Sequence, residues 1–322
     1  MVAPFFIVII CLSQIKGLRL VHTLTMKVAN GVLELFLRLS GASKTISEKT
    51  FYKKTFYKKM RKNAVKTVKG KDRLPLFLGV FMEKGVYCGM RYFCFVPPQV
   101  DTAKSILYLH GSAYVDLYCG VQIKFVASLA KNTHAKVYFP LYPKLPFSTV
   151  LPCFALLNNF FAFLKKKGEV LLMGDSSGAA LALSLAEAQQ SIDFVVAISP
   201  WLRLFLGEEE RRVKTDLMLS FSKLSYVANL WSGGVKRTDN RVSPIYGDYG
   251  GKTILLFAGE FEIFCPLAEL FTAQQRVKGA TIRYIEGERQ QHCYPLLPTA
   301  EGEKARKIIY QEMRFRLYGE GK

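Results

Sequence analysis

From residue 106 onward, short and wholly apolar runs alternate with longer stretches whose apolar residues recur every three to four positions. The runs at 106–109, 136–141, 170–173, 194–198, 253–258 and 281–285 read as strands, and the stretches 121–130, 149–166, 177–189, 266–277 and 301–316 as helices. Strands without polar alternation are buried on both faces, which predicts a doubly wound, mostly parallel central sheet flanked by helices. Upstream, residues 86–96 alternate enough for one or two antiparallel edge strands. Residues 201–241 break the rhythm: a longer, partly charged helical segment replaces a single crossover helix. Insertions at the carboxyl ends of strands overhang the ligand crevice of such a sheet, so a helical cap is expected there.

The first part of the chain has another character. Residues 2–12 are continuously apolar but shorter than the roughly 20 residues of a membrane span, and they resemble the core of a signal peptide or a short anchor. Residues 31–39 carry helical periodicity. Between residues 44 and 73 lie twelve Lys and Arg against two acids, half of the net charge of +20, including a run in which aromatic pairs alternate with lysine pairs. A basic amphipathic segment of that kind suits an anionic membrane surface or a solvated helix face. Nucleic acid is not expected as a partner, because no helix-turn-helix, zinc-finger or RNA-binding signature accompanies the charge. The expected organisation is a membrane-proximal segment over 1–75 and a catalytic domain over 76–322, with the cap insertion at 201–241. The expected location is membrane-associated, in the endoplasmic reticulum or secretory pathway.

Seven scattered cysteines, an odd number with no C-x-x-C pair, fit neither a zinc site nor a disulfide-dense scaffold. Most are expected to be small core residues. Cys88 and Cys94 are close enough in sequence for one bridge.

The chemistry concentrates at Gly174-Asp175-Ser176-Ser177-Gly178, which follows an apolar strand and opens an Ala/Leu-rich helix. That is the required setting for a G-x-S-x-G elbow, a turn so tight that side chains flanking the serine would clash. It lifts the Ser176 hydroxyl above the sheet at a helix N-terminus. Ser177, one position off centre, starts the helix and offers its backbone N–H.

A serine hydroxyl needs a base held by a carboxylate. Of the four histidines, His22 is N-terminal, His134 precedes a strand at the wrong end of the sheet, and His110 belongs to another motif. His292 follows the last strand, where the Ser…acid…His chain order places the base. After residues 253–258, Glu260 and Glu262 both qualify as the acid; the apolar residues after Glu262 favour it, while Glu260 is free to face solvent. His110-Gly111-Ser112-Ala113-Tyr114, ending the first parallel strand, is the candidate oxyanion loop. The backbone N–H groups of Ser112, Ala113 and Ser177 are the assigned donors.

With these residues placed, the chain resembles the hormone-sensitive-lipase-like branch of α/β-hydrolases, which includes arylacetamide deacetylases and steryl acetyl hydrolases. The similarity runs from about residue 105 to 310. Beyond the elbow and the His110 motif it includes Tyr142-Pro143-Lys144-Leu145-Pro146-Phe147, Ser199-Pro200-Trp201-Leu202, Ser243-Pro244-Ile245-Tyr246-Gly247-Asp248, residues 259–263 and His292-Cys293-Tyr294-Pro295. The resemblance implies an α/β-hydrolase fold and cleavage of short-chain or hydrophobic carboxylic esters through an acyl-enzyme, without metal or cofactor. It places the acid at Glu262, and several relatives are held in the endoplasmic reticulum membrane by an N-terminal segment. Ser112 replaces the usual glycine of the oxyanion loop, and Lys144 stands where an acid is usual. Amidase or acyltransferase chemistry on the same triad, or a ligand-binding protein without turnover, are the other readings such a fold permits.

Overall fold

The computed structural model describes residues 79–319 except Lys214. The apolar stretches at 2–12 and 31–39, the basic segment 44–73 and His22 therefore lie outside the described residues. So does the boundary expected between residues 75 and 76. Among the described residues no helix is long and apolar enough to cross a membrane.

Eight strands form one sheet: β1 (Phe81–Tyr87), β2 (Met90–Val96), β3 (Asp101–Leu109), β4 (Ala135–Pro140), β5 (Glu169–Asp175), β6 (Phe194–Ile198), β7 (Thr253–Gly259) and β8 (Thr281–Gly287). Their order is β1-β2-β4-β3-β5-β6-β7-β8. β2 runs antiparallel to β1 and β4, and β3 to β8 are parallel. The helices are α1 (Gly120–Thr133), α2 (Val150–Lys165), α3 (Ser177–Ala188), α4 (Glu208–Arg212), α5 (Phe221–Trp231), α6 (Cys265–Val277) and α7 (Ala300–Tyr318).

Side chains alternate across the pleat, and this divides the core in two. Leu107, Leu109, Leu172, Val195, Ala197, Ile254 and Leu256 face the layer of α2, α3 and α6. Ile106, Tyr108, Leu171, Met173, Val196, Leu255 and Phe257 face α1 and α7. Both faces are dry, which is why these strands read as continuous apolar runs. β1, at the sheet edge, is half exposed instead. Cys94 pairs across the ladder with Glu83, whereas Cys88 lies in the turn; both are free thiols, so the bridge considered for them is not formed.

The chain passes from β3 to β4 on one side of β3, then crosses to β5 on the other. In open α/β sheets ligands bind outside the carboxyl ends of the strands at such a reversal, here β3 and β5. The segment between β6 and β7 carries α4 and α5. It is packed into the core through Leu224, Val227, Ala228 and Trp231. It also leans on the loops after β7 and β8: the Ile263 amide donates to Asp216 at 2.8 Å, and the Leu217 amide to Gln291 at 2.9 Å.

The β5–α3 turn tolerates no extra atoms. A Cβ on Gly178 would stand 2.1 Å from the Leu109 carbonyl oxygen and 2.6 Å from that of His110, both backbone atoms of the neighbouring strand end. Gly178→Ala is therefore expected to destabilise the protein by about 3 kcal/mol or more, read as a lowered midpoint of urea unfolding; an unchanged midpoint would mean that the elbow yields.

Candidate active site

Ser176 sits between β5 and α3 with φ 54° and ψ −124°, a conformation that costs a non-glycine residue about 1–3 kcal/mol and persists only where its surroundings enforce it. Here the Ser176 amide donates to the Ile198 carbonyl at 2.8 Å, and its own carbonyl accepts from the Trp201 amide at 3.3 Å. The carboxyl end of β6 and the residues just after it thus clamp the elbow from both sides.

His292 and Glu262 come to Ser176 from the loops after β8 and β7. His292 Nε2 lies 2.9 Å from Ser176 Oγ, and His292 Nδ1 lies 2.7 Å from Glu262 Oε2. Ser176 and His292 are 8% and 5% exposed, and Glu262 is fully buried. Glu260, the other candidate acid, is exposed and accepts the Arg289 amide at 2.6 Å. His134 caps the far end of α1, away from the site.

The electrostatics of the pair follow from burial and contact. Burial opposes the imidazolium form of His292, yet its surroundings outweigh burial and hold His292 well above the ordinary histidine range. Cys293 is pushed up to about 11 by burial and is an uncharged thiol at neutral pH, which leaves the Glu262 carboxylate as the source of that upward shift. Burial also pushes Glu262 upward, opposed by His292. Each partner is costly alone, so the pair is stable only as a hydrogen-bonded unit.

The loop after β3 is bolted onto the elbow by consecutive amides. Gly111 N–H donates to Asp175 Oδ1 at 2.9 Å, and Ser112 N–H donates to Ser177 Oγ at 3.0 Å. The residues on either side of Ser176 therefore hold the loop through their side chains. Only glycine fits at 111, because a Cβ there would stand 2.7 Å from Ser176 Cβ and 2.4 Å from Asp175 Oδ2. Asp175 also accepts from Tyr108 Oη at 2.6 Å and Gln122 Nε2 at 2.8 Å. Burial still pushes its carboxyl upward against these donors. Ala113 and Tyr114 follow with φ of 47° and 58°.

This arrangement changes one expectation. The Ser112 amide, assigned as an oxyanion donor, is committed to Ser177 Oγ, while the amides of Ala113 and Ser177 have no acceptor among the described residues. Among the described residues the Ser112 hydroxyl is buried without a partner. His110 lies beneath the loop, stacked between Phe139 and Tyr142, and burial together with Lys144 holds it well below the ordinary histidine range. It is a neutral packing element. Lys144 is also buried, donating to the Asp116 carbonyl at 2.7 Å, and burial lowers it to about 7.

Sequence reasoning passed over Asp175, Gln122, Ser199 and Asp216. Asp175 was visible inside the elbow pentapeptide, but its task depends on Gly111 and Gln122, far away in sequence. Ser199 Oγ accepts the Cys293 amide at 2.9 Å, fixing the loop that carries His292. Three atoms of a metal-ligating type, on Cys265, Glu269 and Glu286, converge on α6 and β8, with both glutamates exposed and no other observation pointing to an ion.

A reversal of strand order, a strained elbow serine and a buried Ser–His–Glu chain define a class of protein, and residues 106–296 match the family model described as alpha/beta hydrolase fold. The match covers more than half of the chain, and the chain belongs to that family. It is 29% identical over 170 residues to an esterase of Acinetobacter venetianus, covering 48% of this chain and 55% of that protein. It is 24% identical over 232 residues to an acetyl-hydrolase of Streptomyces hygroscopicus, covering 66% of this chain and 76% of the other. The chain thus spans about half the length of the first relative and three quarters of the second. A hormone-sensitive lipase from a metagenome library superposes with a TM-score of 0.76 at 18% identity, over 89% of this chain and 98% of that one, a likeness of fold.

Proposed function

We propose that this protein is a serine hydrolase of carboxylic esters. The observation that carries the reading is the unbroken Ser176–His292–Glu262 hydrogen-bond chain beyond the carboxyl ends of β5, β7 and β8. Ser176 Oγ attacks the ester carbonyl as His292 Nε2 takes its proton, and Glu262 holds the proton on Nδ1. Negative charge on the carbonyl oxygen is met by the Ala113 and Ser177 amides, the latter at the N-terminus of α3. His292 returns the proton to the leaving alcohol, and the acyl-enzyme is hydrolysed with the same base. A ligand-binding role without turnover has no observation in its favour.

The surroundings favour a short acyl group. Trp231 and Tyr114 stack at 4.2 Å, Tyr114 and Trp201 at 5.7 Å, and Trp201 and Phe264 at 5.8 Å, with Phe264 edge-on to His292 at 5.4 Å. All four rings are buried. This column starts at the insertion and ends against the base, filling the wall beside the nucleophile, so an acetyl-sized group attached to a hydrophobic alcohol fits best. Arylacetamide deacetylase-like or steryl acetyl hydrolase-like substrates are the finer form of this proposal.

The test uses the full-length protein with a fluorophosphonate probe and two nitrophenyl esters. Labelling at Ser176, with kcat/KM for the acetate at least tenfold above the octanoate, is the expected result. Absence of labelling would sink the hydrolase reading, and equal rates on the two esters would sink the short-acyl part alone.

A further inference from the structure

We propose that the side-chain hydroxyl of Ser177 completes the oxyanion hole, taking the hydrogen of the Ser112 amide and presenting its own O–H to the substrate oxygen as charge develops there. The proposal rests on the ester-hydrolase reading above and adds a donor to it.

The geometry leaves a gap that this hydroxyl fills. Of the loop amides beside the nucleophile, Gly111 is spent on Asp175 and Ser112 on Ser177 Oγ. Gly111, the residue before Ser112, is so close to Ser176 that a Cβ on it would stand 2.7 Å from Ser176 Cβ, and Ser177 is the next residue after Ser176 in the chain. Ser177 is fully buried, in the first turn of α3, directly after the nucleophile. Its oxygen accepts one hydrogen bond, but among the described residues its O–H reaches no acceptor. A buried donor left unspent is costly in the resting enzyme. An anionic oxygen arriving between the loop and the helix relieves that cost.

This is why the hydroxyl counts toward rate rather than toward binding alone. An O–H donating to an oxyanion is charge-assisted and about twice as strong as the same bond to a neutral carbonyl, so it tightens as the tetrahedral intermediate forms. The Ser112 amide is not lost, since a donor feeding a second donor polarises it. Ser112 thereby acts through Ser177, which explains how a side chain at 112 is compatible with a working hole.

The experiment compares wild type with Ser177→Ala, Ser177→Cys and Ser177→Thr on nitrophenyl acetate, and measures inhibition by a trifluoromethyl ketone, which forms a tetrahedral adduct on the serine. Removing one oxyanion donor typically costs about 10²–10³ in kcat. Because alanine would free the Ser112 amide to take part of the load, a fall of about 10–100-fold in kcat is expected for Ala and Cys. KM should stay within threefold, the ketone should weaken by the factor lost in kcat, and Thr should keep most of the activity. Ala or Cys turning over as fast as wild type, or losing kcat while ketone affinity is unchanged, overturns the proposal. Failure of wild type to react with fluorophosphonate overturns the hydrolase reading itself, and the donor with it.

Discussion

Ser176→Ala is expected to lower kcat on nitrophenyl acetate by about 10⁵–10⁶ and to abolish fluorophosphonate labelling. The size of the loss follows from the way the site divides its tasks. Without Ser176 Oγ no acyl-enzyme forms, and His292, otherwise 2.9 Å from that oxygen, has nothing to deprotonate except water. The donors of Ala113 and Ser177 stay in place, so about 10³–10⁴ over the uncatalysed reaction remains. Folding should be unaffected, since the clamps on residue 176 are backbone bonds to Ile198 and Trp201. A companion variant separates activity from strain: Ser176→Gly removes the same nucleophile but is at ease at φ 54°. It should be inactive and more stable than Ser176→Ala by roughly 1 kcal/mol, measured by urea unfolding. Activity of Ser176→Ala within a hundredfold of wild type would move the nucleophile elsewhere.

The parts of this site that were readable in the sequence are those that one element carries alone. The elbow is a local pattern, strand then G-x-S-x-G then helix, and the fold enforces it through contacts that forbid side chains at Gly178. His292 was readable from chain order, because in a parallel sheet the loop after the last strand must return to the crevice. The apolar residues after Glu262 favoured it over Glu260, and the turn that follows β7 buries the one and exposes the other. The interactions that escaped are between residues distant in sequence. Nothing local announces that Ser177 Oγ takes the Ser112 amide, that Asp175 takes Gly111, or that Trp231 stacks on Tyr114. The polar start of β3, Asp101 to Lys104, was also invisible to hydropathy, since it extends beyond the buried part of the sheet.

Glu262→Gln is expected to lower kcat by about 10³–10⁴ while leaving the fold intact, the range seen when a triad acid becomes an amide. A glutamine can rotate its NH₂ toward Nδ1, which places the imidazole proton on Nε2 and points a donor, not an acceptor, at Ser176 Oγ. The pH profile gives an independent readout. Catalysis requires neutral His292, so kcat/KM falls as pH drops through the histidine's pKa. Glu262 holds that pKa above the ordinary value, which puts the acidic limb of the wild-type profile above pH 6.5. Removing the negative charge leaves burial unopposed, and burial lowers a histidine. The limb of Glu262→Gln should therefore shift toward lower pH, even as the plateau falls. A lower plateau with an unmoved limb would mean that Glu262 orients the ring without setting its basicity. A Glu262→Gln variant with wild-type turnover would transfer the acid's role to another carboxylate. Glu260→Gln serves as the control: its side chain is exposed and bonded to the Arg289 amide, so neither plateau nor limb should move.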